Sequence, residues 1–407
     1  MSAVVLLALA VAPPCVGGED APPLTVAVSF GDLGAGGNLL PVQFIAPITR
    51  NNAASDGSYR LDGGPAGGFV AQASPLKVDS TEAGCALYEV KALLPRKDAT
   101  YMLVKSDGPL PESQPLVATL NDADRISLDT GKVSISFDAK RFSFLDEARV
   151  SGHAMVPDYV TNLINRQQGI QLVLTDHIRH VDFTLLSEPN PKFSVEEVGP
   201  VATTVLCKGT FAGGERLPKV EYEARITLAA SGVIGLDIVL VKGSYDPAVM
   251  KATAFKITLP LVLKRAAALS FGGTTPCVSG RSFWTGQSHL TVSDNGSYEF
   301  TDADKSTVTG AQKVTWADYG DDEGGVGIVW GSRQAPAELT VGYNEDLLEL
   351  SLTPRAGKES PAEVTAYFIF HPLSENTTSL AGMSAAMDSP PTATVSEAYL
   401  RTVTRTK

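Results

Sequence analysis

Cysteine is scarce in this chain. The 407 residues include four cysteines, Cys15, Cys85, Cys207 and Cys277, and their spacing fits no zinc motif. Removal of an N-terminal leader that contains Cys15 would leave three, an odd number for disulfides. We therefore expect buried thiols, with one disulfide as the alternative. The sequence also has no ordered Ser/His/Asp set. It has no nucleotide-binding loop and no His/Cys/Glu set with ligand spacing, so it predicts neither a metal site nor a cofactor.

The chain also lacks an excess of positive charge and long apolar runs. The formal net charge of −12 argues against nucleic acid and against anionic membranes as partners. The apolar run at residues 4–12, VVLLALAVA, is too short to span a bilayer, and no other segment is a candidate. We expect no membrane span.

The same apolar run has the features of a signal-peptide core. Small residues follow it before Glu19 and Asp20, although no Lys or Arg precedes it. The pattern predicts a signal peptide over residues 1–20 and a secreted or periplasmic protein.

Sustained helical periodicity is absent too, while 37 glycines and 26 prolines punctuate many short apolar runs. This pattern is typical of an all-β chain. Residues 220–228 alternate strictly, with Val220, Tyr222 and Ala224 on one face and charged residues on the other. Together with runs at 201–207 and 233–241, they predict three antiparallel strands.

Proline-rich residues 109–115 predict a linker, and strand-like patterns restart at Arg125. We expect a small β-barrel-like N-terminal domain over residues 21–118 and a large antiparallel β-sandwich over residues 119–375. Residues 376–407 are rich in Ser, Pro and Thr and are predicted to be a tail.

A family resemblance is carried by the motif Glu196-Glu197-Val-Gly199-Pro200, a following strand, a glycine-containing turn and Tyr222-Glu-Ala-Arg225-Ile. This order resembles the central β-sandwich of the exo-rhamnogalacturonan lyase-like family, and the order of elements over residues 316–371 is similar to its last third. The resemblance covers residues 120–375. It implies a uronate-containing plant polysaccharide as ligand. Lyases of this family continue into an α/α toroid that carries much of the active site, so a separate toroid subunit is an expected partner here.

The densest polar cluster is Asp176-His177-Ile-Arg179-His180, on a predicted hairpin turn. β-Elimination needs a cation to neutralise the uronate carboxylate and a base to remove the neighbouring proton. Arg179 fits the first role, and His177 or His180 fits the second. A solvated turn is the structural alternative.

Sugar binding often uses exposed aromatic rings together with polar groups. The candidates lie in or near turns of the predicted sandwich and are Trp284, Trp316, Tyr319, Trp330 and Arg333. Burial in the core is the alternative for the aromatic residues.

Three functions remain open from the sequence. The first is an exported carbohydrate-associated β protein that binds a plant-type or uronate-containing polysaccharide or oligosaccharide without cleaving it. The second is a polysaccharide lyase whose reactive residues lie in the sandwich. The third is a structural or protein-interaction module.

Overall fold

The structure is a computed structural model of the chain. It describes residues 24–31, 36–49, 53–54, 58–63, 68–76, 85–106, 117–122, 125–138, 142–157, 170–176, 178–213, 217–262, 268–282, 287–293, 295–302, 304–321, 324–331, 337–342, 347–355, 362–372, 378–388 and 391–396. The predicted signal peptide and the predicted linker at 109–115 lie outside these residues.

The described residues form 29 strands and one helix, which confirms the all-β prediction. The first eleven strands are β1 (Leu24–Ser29), β2 (Gly36–Thr49), β3 (Ser58–Asp62), β4 (Phe69–Pro75), β5 (Cys85–Arg96), β6 (Ala99–Lys105), β7 (Ala118–Asn121), β8 (Arg125–Asp129), β9 (Val133–Asp138), β10 (Glu147–Val150) and β11 (His153–Val156). The next nine are β12 (Ile170–Asp176), β13 (Val181–Ser187), β14 (Lys192–Glu197), β15 (Ala202–Ala212), β16 (Val220–Ala229), β17 (Val233–Leu240), β18 (Met250–Pro260), β19 (Ala268–Gly272) and β20 (Pro276–Ser282). The last elements are β21 (Gln287–Val292), β22 (Tyr298–Thr301), β23 (Thr307–Gly310), β24 (Trp316–Gly320), β25 (Gly324–Val329), β26 (Ala337–Gly342), β27 (Leu347–Leu352), β28 (Glu363–Pro372), α1 (Thr378–Asp388) and β29 (Thr392–Val395).

The chain divides into two compact units. Unit 1 holds the described residues within Met1–Val117, Glu197–Thr203 and Ser389–Lys407, and unit 2 holds those within Ala118–Glu196 and Thr204–Asp388. Unit 1 therefore takes up two segments that are distant in sequence from the predicted N-terminal domain at residues 21–118.

Unit 1 is a seven-stranded antiparallel sheet in the order β2-β5-β4-β3-β6-β1-β29, curled into a nearly closed barrel. In β1, Leu24, Val26 and Val28 are buried and alternate with more accessible residues, as one buried sheet face requires. The sequence of residues 51–68 is polar and rich in glycine and would be taken for a loop, yet it contains β3, which is held by pairing with β4 and β6. The polar, glycine-rich character of this sequence does not predict the strand.

Unit 2 contains a five-stranded antiparallel sheet, β11-β10-β9-β8-β7, and a 17-stranded sheet that forms the β-sandwich. One branch of the large sheet runs through β12, β18, β27, β26, β21, β22 and β23. The other runs through β16, β17, β28, β25, β24, β19 and β20. Phe211 packs on both branches, with its ring centroid 4.4 Å from that of Tyr222 and 6.1 Å from that of Phe255. The three strands predicted between residues 193 and 241 are β15, β16 and β17.

Helix α1 corrects the prediction of a tail over residues 376–407. Leu380 and Met383 are buried against Trp316, Val329 and Ile369. Strand β29, also in this segment, pairs with β1. Local sequence shows little sign of the helix, because its stability comes from the surface on which it packs rather than from strong local propensity.

Gly327 allows α1 to approach the sheet. An ideal Cβ there would lie 2.4 Å from a methyl carbon of Leu380. Across the described segments, we find no helix with the length and hydrophobicity that a bilayer crossing needs.

Candidate functional site

The predicted catalytic hairpin joins β12 to β13, and Asp176 orders its turn. Asp176 is 5% exposed, and its Oδ1 accepts hydrogen bonds from the backbone N–H groups of Ile178 at 2.7 Å and Arg179 at 3.0 Å. The Arg179 side chain is 76% exposed. His180 is also exposed and has a φ of 54°. His177 lies outside the described residues. In the part that the structure describes, this hairpin is a solvated turn ordered by an aspartate.

The predicted aromatic ligands need a correction. Trp316, Tyr319 and Trp330 are 0%, 1% and 1% exposed, so their rings fill the core and offer no face for sugar stacking. The indole N–H of Trp316 donates to the carbonyl of Gly273 at 2.7 Å. Trp316 and Tyr319 point to opposite faces of β24, and both are buried because both faces of this strand are covered. Trp284 and Arg333 lie outside the described residues.

A different cleft lies in unit 2, on the sandwich branch that contains β12, β18, β27 and β26. Its volume is about 190 Å³. Besides Leu350, the residues that line it are polar, namely Gln171, Lys256, Thr258, Glu338, Thr340, Glu349 and Ser351. We call this the polar cleft.

Strand register brings these side chains to one face. Lys256 lies opposite Ser351, which lies opposite Glu338. The adjacent row across the same three strands consists of Ile257, Leu350 and Leu339, which lie opposite one another and are buried. Because successive strand residues point to opposite faces, the polar set points outward while the apolar set fills the core.

The polar cleft contains two charged groups that are not paired within the described structure. Neither Lys256 nor Glu349 makes a side-chain hydrogen bond or ion pair with another described residue. Both are exposed. An unpaired ammonium and an unpaired carboxylate on one concave surface can bind a polar ligand by charge-assisted hydrogen bonds.

His289, on β21, adjoins the polar cleft and orders its edge. Its Nδ1 is 3.0 Å from the hydroxyl of Thr340, and its Nε2 is 2.9 Å from the hydroxyl of Thr291 and 3.2 Å from Glu338 Oε1. These contacts fix the Glu338 edge of the cleft before any ligand arrives.

The described residues contain no group of three or more His, Cys, Asp or Glu side chains arranged to hold a metal ion. The polar cleft instead offers hydroxyl, amide, ammonium and carboxylate groups, which match the donors and acceptors of a sugar.

Sequence reasoning missed this cleft. The alternating runs QSHLTV, AELTVG and LLELSL signal strands with one polar face. However, β18 and β27 are neighbours across a large sequence separation, and local patterns do not show which strands pair.

Comparisons with known proteins show a shared fold. No protein-family model matches the chain, and neither does any curated protein. The chain is similar to an alpha-mannosidase from Enterococcus faecalis V583, with 10% identity and a TM-score of 0.50 over 95% of this chain and 47% of that one. It is also similar to a protein in the glycosyl hydrolase family 38 from Enterococcus faecalis, with 10% identity and a TM-score of 0.52 over 95% of this chain and 49% of that one.

The chain thus spans about half the length of each Enterococcus protein. A galactose mutarotase-like protein from Lactobacillus casei ATCC 334 matches 63% of this chain over 99% of its own, with 10% identity and a TM-score of 0.33. That score is too low to show a common fold. The Enterococcus matches show a similar fold. Function has to be inferred from the residues of this chain.

Proposed function

We propose that this protein binds an oligosaccharide in the polar cleft without cleaving it. The observation that carries the proposal is the presence of Lys256 and Glu349, two exposed charges without a partner among the described residues, in one cavity lined by hydroxyl and amide side chains. The fold likeness to proteins named as an alpha-mannosidase and a glycosyl hydrolase family 38 member supports a role with carbohydrate.

Weak affinity follows from the form of the site. The described lining contains no aromatic ring, so binding depends on hydrogen bonds made in competition with water. We expect dissociation constants from millimolar to micromolar, about −4 to −8 kcal/mol.

Our proposal extends to the class of glycan. Lys256 is the cation in the cleft lining, and its ammonium group is suited to the carboxylate of a single uronate unit. A plant-type glycan of this kind agrees with the sequence resemblance to exo-rhamnogalacturonan lyase-like proteins. A secreted or periplasmic location and a separate α/α toroid partner belong to the same proposal and rest on sequence alone.

Calorimetric titration with rhamnogalacturonan oligomers and with manno-oligosaccharides tests the proposal. We expect Lys256→Ala to weaken binding of a uronate-containing oligomer at least about tenfold, since a charge-assisted hydrogen bond contributes roughly 1.5–3 kcal/mol. Glu349→Gln should weaken binding of both glycan types, because it removes an anionic acceptor.

Two exposed residues elsewhere in unit 2 supply matched controls. Lys192→Ala and Glu221→Gln make the same charge changes outside the cleft. Equal affinities of the cleft variants and the control variants would show that the polar cleft is not the binding site. Failure of wild-type protein to bind either oligosaccharide series would overturn the proposal.

A further inference from the structure

The polar cleft continues into a longer polar surface across the sheet. Two rows of opposed residues cross six strands, from β18 to β23. The first row contains Lys256, Ser351, Glu338, Thr291, Glu299 and Thr309. The second row contains Thr258, Glu349, Thr340, His289, Thr301 and Thr307. Every side chain in both rows is polar.

The residues between the rows show that this surface faces outward. Leu290 and Phe300, which lie between the rows on β21 and β22, are completely buried. The row residues Thr291, Glu299 and Thr307 are exposed. The alternation that forms the polar cleft therefore continues beyond it onto β22 and β23.

From this register we infer that the ligand is an extended oligosaccharide running across the strands, with subsites beyond the cleft at Thr291 and Thr301. The inference rests on the proposed function, because it extends the same site. Six strands about 4.8 Å apart span about 24 Å, and rows two residues apart along a strand are separated by about 7 Å. This long, narrow surface fits a chain of sugar rings better than a single ring.

The hydroxyl groups on the far part of the surface are placed to contact such a chain. Thr291 Oγ1 is 2.9 Å from His289 Nε2, and Thr301 Oγ1 is 3.3 Å from Thr307 Oγ1. Each threonine hydroxyl has one donor and two acceptor positions, so one internal hydrogen bond leaves capacity for a sugar hydroxyl. The internal bonds also reduce the rotamer freedom that binding would otherwise remove.

Charge indicates which sugar units fit beyond Lys256. The two rows contain three carboxylates, those of Glu299, Glu338 and Glu349, and one ammonium group. A second uronate placed near these carboxylates would be repelled. The subsites beyond the cleft are therefore suited to uncharged sugar units.

A length series tests this inference. Wild-type protein is titrated with uncharged manno-oligosaccharides of increasing length, up to eight units. We expect affinity to rise with length until about five units, where the polar surface ends, and then to level off.

Variants separate the two parts of the surface. Thr301→Val and Thr309→Val should lower affinity for the longest oligomers about three- to tenfold each while leaving the shortest binding oligomer unaffected. Thr184→Val changes an exposed strand threonine elsewhere in unit 2 and is the matched control.

The outcomes distinguish the two proposals. Affinity that does not depend on oligomer length would overturn the extended surface. Threonine variants that lose equal affinity for short and long oligomers would also overturn it. In either case, weaker binding by Lys256→Ala would still support the polar cleft. Absence of binding by any oligomer would overturn both. Stronger binding to a uniformly uronate oligomer than to a neutral one of equal length would contradict the charge argument.

Discussion

The side-chain amide of Gln72 donates a hydrogen bond of 2.8 Å to the carboxylate of Glu197, although the two residues are 125 positions apart. The amide oxygen of Gln72 accepts hydrogen bonds from the backbone N–H groups of Val201 at 3.2 Å and Ala202 at 3.1 Å. Ser74 donates to the same carboxylate at 2.8 Å, and Lys91 forms an ion pair with it. Gln72 thus joins residues 197–203 to the barrel sheet of unit 1.

Gln72→Leu should destabilise unit 1. The change leaves two backbone N–H groups without their acceptor and removes one donor from Glu197, and each buried unsatisfied group costs about 1–3 kcal/mol. We expect a loss of at least about 2 kcal/mol, measured from the urea midpoint by circular dichroism. Lys97→Ala, at an exposed position of the same unit, is the control. An unchanged urea midpoint would show that these hydrogen bonds make no net contribution to the free energy of unfolding.

Leu380→Ala should loosen α1. The leucine is 2% exposed and packs with Met383 against Trp316, so its truncation removes buried methyl groups and leaves a cavity. Core truncations of this kind cost about 2–5 kcal/mol. Tryptophan fluorescence during urea unfolding should report the loss. Leu380→Met, which conserves volume, should cost less than about 1.5 kcal/mol. Similar losses for both variants would argue against the packing explanation.

Cys207 should resist alkylation in the folded protein. It is completely buried, and burial raises the pKa of its thiol to about 12, so the reactive thiolate is scarce at neutral pH. The less buried Cys277 gives an internal comparison. We expect iodoacetamide at pH 8 to modify Cys277 first and Cys207 only after denaturant is added, as measured by peptide mass spectrometry. Rapid native labelling of Cys207 would show that its strand opens.

No lyase activity is expected from the β12–β13 hairpin. β-Elimination needs a carboxylate clamp and a base that are fixed around one sugar, whereas Arg179 and His180 are exposed on a turn. Incubation with rhamnogalacturonan oligomers should give no absorbance from an unsaturated product. Product formed by wild type and abolished by Arg179→Ala or His180→Ala would establish a lyase and contradict our reading of the hairpin.

Strands could be predicted from the sequence where one face of the sheet is buried and the other is exposed. The alternation of residues 220–228 predicted β16, because period-two hydrophobicity directly reflects one wet and one dry face. The hairpin between β12 and β13 was also predicted, from two strand-like runs that flank the mostly polar residues 176–179. Local sequence was less informative for β3 and α1, which are stabilised by partners distant in the chain.

Residue type alone misplaced the aromatic candidates. Tryptophan and tyrosine are suited both to sugar stacking and to the core of a sandwich, and only the direction of each side chain separates the two uses. Trp316 and Trp330 point inward. The sequence contains no local signal for that direction, since both residues lie next to turns.

The amino-acid sequence by itself determined the all-β character of this protein, through its alternating apolar residues and its frequent glycine and proline. Tertiary structure decided which polar residues meet. The cleft charges, Lys256, Glu338 and Glu349, come from three strands whose order in the sheet cannot be predicted from local sequence. The strand register places them on one face. The physical reason is that alternation acts within a strand, whereas the choice of neighbouring strand depends on packing of the whole core.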